Sequence, residues 1–200
     1  MRILVTGGTG FLGKNIQENL GAFLNQDYSI STIGSEVYDL RCQQACRKVV
    51  QYYNPDVILH AAGSVGGIGA NQENPGKFMY DNLIMGANLI ERARIENVQK
   101  FVLLGTVCAY PKYTPVPFKE EDLWNGYPEE LMKMLQTYKE QYGMRGANLI
   151  PVNMYGPHDH FNLTSSHVIP ALILKFYNAM KNGDEVELWG TGSASREFLY

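Results

Sequence analysis

A short apolar run, Ile3-Leu4-Val5-Thr6, leads without interruption into Gly7-Gly8-Thr9-Gly10-Phe11-Leu12-Gly13. Gly7, Gly10 and Gly13 stand three residues apart, and a segment of helical periodicity, Phe11–Phe23, follows them. A strand that turns through glycine and re-enters as a helix commits the chain to a parallel βαβ unit. Glycine permits the tight turn and lets backbone N–H groups approach a pyrophosphate, while the helix N-terminus adds partial positive charge. The spacing alone also fits a ligand-free tight turn; the flanking strand and helix favour a dinucleotide site. Gly7, Gly10, Phe11, Leu12 and Gly13 are its candidate residues.

Short apolar runs alternate with amphipathic stretches over the rest of the chain. Strands are expected at Ile3–Thr6, Ser29–Ile33, Val57–His60, Phe101–Gly105, Ala147–Val152 and Glu185–Leu188. Helices are expected at Phe11–Phe23, Gln43–Tyr53, Lys77–Glu96, Leu131–Tyr142 and His167–Asn182. This alternation predicts an α/β fold, a doubly wound parallel sheet of the Rossmann type. The expected division is a dinucleotide-binding domain over 1–157 and part of a smaller substrate-binding domain over 158–200, with a later strand free to rejoin the sheet. Arg196-Glu197-Phe198-Leu199-Tyr200 reads as the start of a strand, so a piece of a longer protein is expected.

With 45% hydrophobic and 18% charged residues the chain has ample material for a core. A net charge of only −3 gives no basic surface for nucleic acid or an anionic membrane. MRILVTGG opens directly as a strand, with no charged leader before an apolar core, and no apolar run is long enough for a membrane span. Cys42, Cys46 and Cys108 make neither a disulfide framework nor a zinc site. Reduced thiols in a cytoplasmic protein are expected.

The second strand ends in Ile33-Gly34-Ser35-Glu36. Gly34 and Ser35 leave room for a ribose 2′-phosphate, which leans towards NADP; the absence of a clamping arginine and the presence of Glu36 argue for NAD. Asp39 and Leu40 follow where an adenine edge would lie, although a helix N-cap aspartate explains Asp39 equally well.

Beyond the glycine turn, HAAGSVGGIGAN (60–71), LGTVCAYPK (104–112), PVNMYGPHDHF (151–161), SSHVIPALI (165–173) and LWGTGSASREFL (188–199) resemble the extended short-chain dehydrogenase/reductases. Within these, they resemble the GDP-L-fucose synthase family. The resemblance extends over essentially the whole chain. It implies an NADPH-dependent epimerase/reductase acting on a GDP-4-keto sugar, and a homodimer. Ala61, Ala62 and Asn153 would line the cofactor, and Lys175, Trp189 and Arg196 the GDP-sugar. Thr106 would hydrogen-bond the C4 keto oxygen. Cys108 would be the base and His167 the acid that invert C3 and C5, since protons next to a ketone are acidic. Without the resemblance, Thr106 reads as a strand-end turn cap, Cys108 as a small buried hydrophobe and His167 as a helix-start histidine. Lys175 and Arg196 read as solvated cations and Trp189 as core. His60 reads as packed, and His158 and His160 as loop residues. Asn82 is a weaker candidate for supporting the catalytic lysine.

One departure from the family pattern is conspicuous. The resemblance implies a T-N-x-P-Y-G-x-A-K block between a PEE-like turn and the next helix, but here Glu130 is followed directly by Leu131. The only Tyr-x-x-x-Lys, Tyr177 to Lys181, lies far downstream. Tyr138 and Lys139 are adjacent and so diverge on a helix. Either an active-site loop is missing from this sequence or the protein lacks it. A chain of this sequence is expected to bind dinucleotide and to reduce a ketone poorly.

Overall fold

The structure is a computed structural model describing residues 1–23, 27–111, 113–126, 129–163, 165–187, 191–193 and 195–200. Strands β1 (Arg2–Thr6), β2 (Ser29–Ile33), β3 (Val57–His60), β4 (Lys100–Leu104) and β5 (Arg145–Leu149) form one sheet in the order 2-1-3-4-5. All four strand pairings are parallel. Register aligns Leu4 with Ile58, and Ile58 with Phe101. This row is fully buried in one core with Val49 and Val50 of α2 (Gln43–Tyr53), Leu89 and Ile90 of α4 (Pro75–Ile95), and Leu131 and Leu135 of α5 (Glu130–Tyr142). Each such large side chain contributes roughly 1.5–3 kcal/mol when fully removed from water. The alternate residues Ile3 and Val5 face the other side and are also buried. There α1 (Phe11–Phe23) contributes Leu12 and Ile16 to a groove that also takes in Leu59 and Leu104. The sheet is therefore covered from both faces, as the alternation of elements predicts.

Local chemistry ends the helices where expected. Asn54 leaves α2 at φ 41°, and Gly143 leaves α5 at φ 67°, the left-handed conformation that a helix terminus favours. Pro75 occupies the first turn of α4, where its missing N–H costs nothing. At Gly86 a Cβ would lie 2.3 Å from Leu131 Cδ1, so α4 and α5 pack closely because that position carries no side chain.

Four segments differ from expectation. The fifth strand begins at Arg145 rather than Ala147 and ends at Leu149, because pairing with Lys100–Leu104 outweighs the weak strand propensity of Arg145-Gly146. Ile68–Glu73 forms a one-turn-and-a-half helix, α3, too short for periodicity to reveal. His167 is the N-cap of α6 (Val168–Asn182) rather than its first residue. Glu185–Glu187 form no strand, and Leu188 lies outside the described residues. Two further short strands, β6 (Asn153–Met154) and β7 (Phe198–Leu199), pair in parallel as a separate sheet.

Candidate active site

Parallel register brings the carboxyl ends of β1, β2, β3 and β4 to one edge. Thr6 pairs with both Ile33 and His60, and His60 pairs with Leu103. The chain winds outward from β1 in opposite directions, to β2 and to β3. A crevice opens at such a switch point, where ligands of open α/β sheets bind. The glycine turn and Thr106 belong to strands two spacings apart, about 10 Å.

The glycine turn is shaped by contacts that exclude side chains. Gly7 sits at φ 75°, and a Cβ on it would lie 2.7 Å from the Ala61 carbonyl oxygen. A Cβ on Gly13 would lie 2.1 Å from the Gly7 oxygen, so the first turn of α1 rests directly on the loop. The Gly8 amide donates to Ile33 O (2.8 Å) and the Gly10 amide to Gly7 O (3.0 Å). Thr9 and Gly10 are exposed at the rim, ahead of the N-terminus of α1. This backbone cradle fits a diphosphate.

Behind it, Thr6 and His60 form a buried pair, Oγ1 to Nδ1 at 2.8 Å. Thr6 Oγ1 also accepts the Ala62 amide at 3.2 Å. Since Thr6 Oγ1 accepts the Ala62 amide, its hydroxyl proton is free to donate to Nδ1, which puts the imidazole proton on Nε2. Burial pushes the His60 pKa down to about 4, so the ring is neutral. This packed histidine fixes where β3 hands the chain to Ala61 and Ala62.

The loop after β3 has its own clamp. Asn82 of α4 accepts the Ser64 amide at Oδ1 (2.6 Å) and donates from Nδ2 to Ser64 O (3.0 Å). This clamp is a different role from support of a catalytic lysine, which the family resemblance implies for Asn82. Three residues on, the Gly67 amide donates to Ser165 O (2.8 Å), and a Cβ there would lie 2.5 Å from Ser166 O. The VGGI loop thus meets the segment that carries His167.

Thr106 and Cys108 stand just past β4. Thr106 Oγ1 accepts the Cys108 amide (3.3 Å), capping a 3-10 turn over Val107–Ala109. The turn-cap alternative is thus realised, yet the hydroxyl proton stays available because the oxygen is only an acceptor in this bond. Cys108 is exposed, which removes its reading as a buried hydrophobe. His167 is exposed as well, and no hydrogen bond among the described residues joins it to Cys108.

The other candidate residues are dispersed. Leu40 is buried in the core. Asp39 is exposed and bound to Arg41, whose side-chain and backbone bonds hold its carboxyl below the usual range. It does not cap α2, whose N-cap is Cys42. Asn153 donates to Glu197 O (3.0 Å), tying β6 to the segment before β7. Lys175 Nζ donates to Glu187 O, and among the described residues the exposed Arg196 bonds the neighbouring Ser195 carbonyl. Trp189 lies outside the described residues. His158 pairs with Glu18 at 2.8 Å and Asn15 Nδ2 donates to Pro157 O at 2.7 Å, a latch onto α1 that no local motif announces.

At the junction after Glu130 the helix begins at once. Tyr138 turns to Glu91 of α4 (2.9 Å), whereas Lys139 lines the groove by α1. They face apart, and neither replaces a Tyr-x-x-x-Lys pair. The groove, about 900 Å³, runs past Leu123, Trp124, Met132 and Leu149. Beside this junction two buried acceptors, Glu129 Oε2 and Asn148 Oδ1, have no partner among the described residues. Burial, and secondarily Glu130, raises the Glu129 pKa. An unpaired buried acceptor costs about 1–3 kcal/mol.

Comparison with known proteins gives these features a lineage. Residues 3–200 match the NAD dependent epimerase/dehydratase family. A GDP-L-fucose synthase of Sinorhizobium fredii and a GDP-L-colitose synthase of Yersinia pseudotuberculosis are each 38% identical over 100% of this chain, covering 66% and 68% of those proteins. The alignment to the former runs over 211 residues against the 200 here, so about eleven of its positions have no counterpart. A crystal structure of a Naegleria fowleri GDP-L-fucose synthetase bound to NADP superposes with a TM-score of 0.89 at 32% identity, over 100% of this chain and 68% of that one. The chain therefore spans about two thirds of the length of these relatives. Glycine turn, strand order and sequence relatives agree: this chain belongs to the NAD-dependent epimerase/dehydratase family.

Proposed function

We propose that this chain carries the dinucleotide-binding domain, residues 1–157, and the beginning of the substrate-binding domain, 158–200, of a GDP-L-fucose synthase. The substrate would be GDP-4-keto-6-deoxy-D-mannose, epimerised at C3 and C5 and reduced at C4. The supporting observation is the shared sheet edge: the glycine cradle and the Thr106–Cys108 turn stand two strands apart on it. NADPH, when bound, supplies the hydride. The backbone of Gly7–Gly13, with Ala61 and Ala62, would hold its diphosphate.

Thr106 would hydrogen-bond the keto oxygen through its hydroxyl and stabilise charge there. Cys108, as thiolate, would remove the proton from the adjacent carbon, and protonated His167 would return one to the opposite face. Gly67 packed on Ser166 supports the approach of the His167 segment to the VGGI loop. Lys175, Trp189 and Arg196 would bind the GDP-sugar, and Asn153 would stand near the nicotinamide. Reduction also requires a proton donor at the carbonyl oxygen. The orphaned Glu129 and Asn148 acceptors support a reading in which donors from a Tyr-x-x-x-Lys block belong at that junction. Two copies would pair through α4, which exposes Met79 and Tyr80, in the cytoplasm.

Incubating the chain with the keto sugar in deuterium oxide tests this. Expected are NADP⁺ binding, deuterium uptake at C3 and C5 and no NADPH oxidation, with Cys108→Ser abolishing uptake alone. Unchanged uptake in the variant would remove Cys108 from the mechanism. NADP⁺ binding without any uptake would favour a dinucleotide-binding module without catalysis. The equal identity to a GDP-L-colitose synthase supports a second reading, another GDP-sugar of the same keto class, which turnover of that sugar in place of the mannose derivative would establish.

A further inference from the structure

Ile169, Ile173, Phe176, Tyr177 and Met180 recur at helical spacing along α6. At roughly 3.6 residues per turn they fall within one arc of about 100°. No charged side chain shares that arc, since Lys175 and Lys181 lie outside it. A stripe of this kind ordinarily faces a core. Here it faces water: of the fifteen residues of α6 only Pro170 is buried, while Phe176 and Tyr177 are 53% and 54% exposed and Met180 77%.

The stripe is complementary to itself. Turned end for end about the midpoint of Phe176 and Tyr177, it sets Ile173 against the partner's Met180 and Phe176 against the partner's Tyr177. Charge follows the same symmetry. The first turn of α6 holds no acidic residue, and its N-cap, His167, makes no side-chain cap bond. Exposed Asp184 and Glu185 follow its C-terminus. In an antiparallel pair these carboxylates come beside the N-terminus of the other α6, where negative charge is stabilised.

We propose that the exposed face of α6 is a docking surface for a second copy of this chain, the two helices pairing antiparallel about a two-fold axis at Phe176 and Tyr177. The surface is separate from α4 with its exposed Met79 and Tyr80, and it depends on neither the cofactor nor the substrate reading. Half-exposed side chains of this size each offer roughly 100 Å². Five of them give about 500 Å² per copy and about 1,000 Å² per pair, the size at which a specific interface begins. The association is therefore weak, with a dissociation constant on the order of ten micromolar.

Sedimentation equilibrium on the full chain carrying Met79→Lys tests this, because that substitution removes pairing through α4. A dimer is expected, and adding Phe176→Lys should weaken it at least about tenfold, since a buried unpaired charge meets an apolar seam. Both side chains are exposed, so the variants should fold, which circular dichroism checks. Register has its own readout. Ile173→Lys and Met180→Glu should each weaken the dimer, and together restore it in part, because each lysine then faces the partner's introduced carboxylate. A monomer in the Met79→Lys chain well above the expected dissociation constant would overturn the proposal and leave the stripe to another occupant. A dimer indifferent to Phe176→Lys would overturn it too, and failure of the paired substitutions to recover would overturn the antiparallel arrangement.

Discussion

Both backbone groups of Ser64 are bonded by one side chain, that of Asn82, 18 residues further along. The helix α4 thereby fixes the loop between β3 and α3 without using any backbone pairing. Replacing Asn82 by alanine would leave a part-buried amide and carbonyl unsatisfied. The expected loss is about 1–3 kcal/mol in urea unfolding. Asn82→Asp should retain the bond from the Ser64 amide and lose the one to its carbonyl, giving a smaller loss.

The glycine turn allows two of its roles to be separated. Gly7→Ala places a Cβ against the Ala61 backbone at a positive φ, so destabilisation of about 2 kcal/mol or more should accompany loss of NADP⁺ binding. Among the described residues a Cβ on Gly10 would meet Gly7 O alone, at 3.3 Å, and Gly10 lies on the rim. Gly10→Ala should therefore fold nearly as well as the parent but bind NADP⁺ more weakly. Thermal melts paired with calorimetry would check both.

His60 predicts an acid limb of stability. Its folded pKa, about 4, lies below the ordinary 6.5, so the unfolded chain takes up a proton before the folded one. The stabilisation is complete above pH 6.5 and falls as pH drops towards 4, by an amount on the order of 3 kcal/mol. In His60→Gln the polar link to Thr6 is retained without titration. Urea midpoints at pH 7.5, 5.5 and 4.5 should show a shallower decline for the variant than for the parent.

Thiol accessibility should sort the three cysteines. Cys42 and Cys108 are exposed, while Cys46 is buried, with its thiol donating to Leu40 O and its pKa pushed up to about 12 by burial. Iodoacetamide at pH 8 should alkylate Cys42 and Cys108 in the native protein and reach Cys46 only after unfolding. Peptide mass spectrometry reads the three sites independently, and early labelling of Cys46 would contradict the packing of α2.

What could be read beforehand followed from local rules. Residue periodicity located four strands of the main sheet and five helices to within a residue or two, and the fifth strand to within three, because alternating burial leaves its mark in each segment. The glycine spacing located the cradle for the same reason: a turn with no room for side chains records its geometry in composition. Features made by distant partners left no such record. The Asn82 clamp joins residues on different elements, the Arg41–Asp81 anchor spans 40 positions, and the His158–Glu18 pair spans 140. A charged or amide side chain on a helix reads as solvated until the partner is known. Glu185–Glu187 show the opposite error, since strand-like composition has no force where the described residues supply no neighbouring strand.

The latch formed by Asn15 and Glu18 has a mechanical consequence. Both belong to the helix whose first turn rests on Gly7, and both grip the corner at 157–158. One helix therefore rests on the glycine turn at its tip and holds the corner that follows β6 along its flank. Under the proposed function, a tilt of this helix imposed by cofactor at the glycine turn would be felt at the corner where the substrate-binding segment begins.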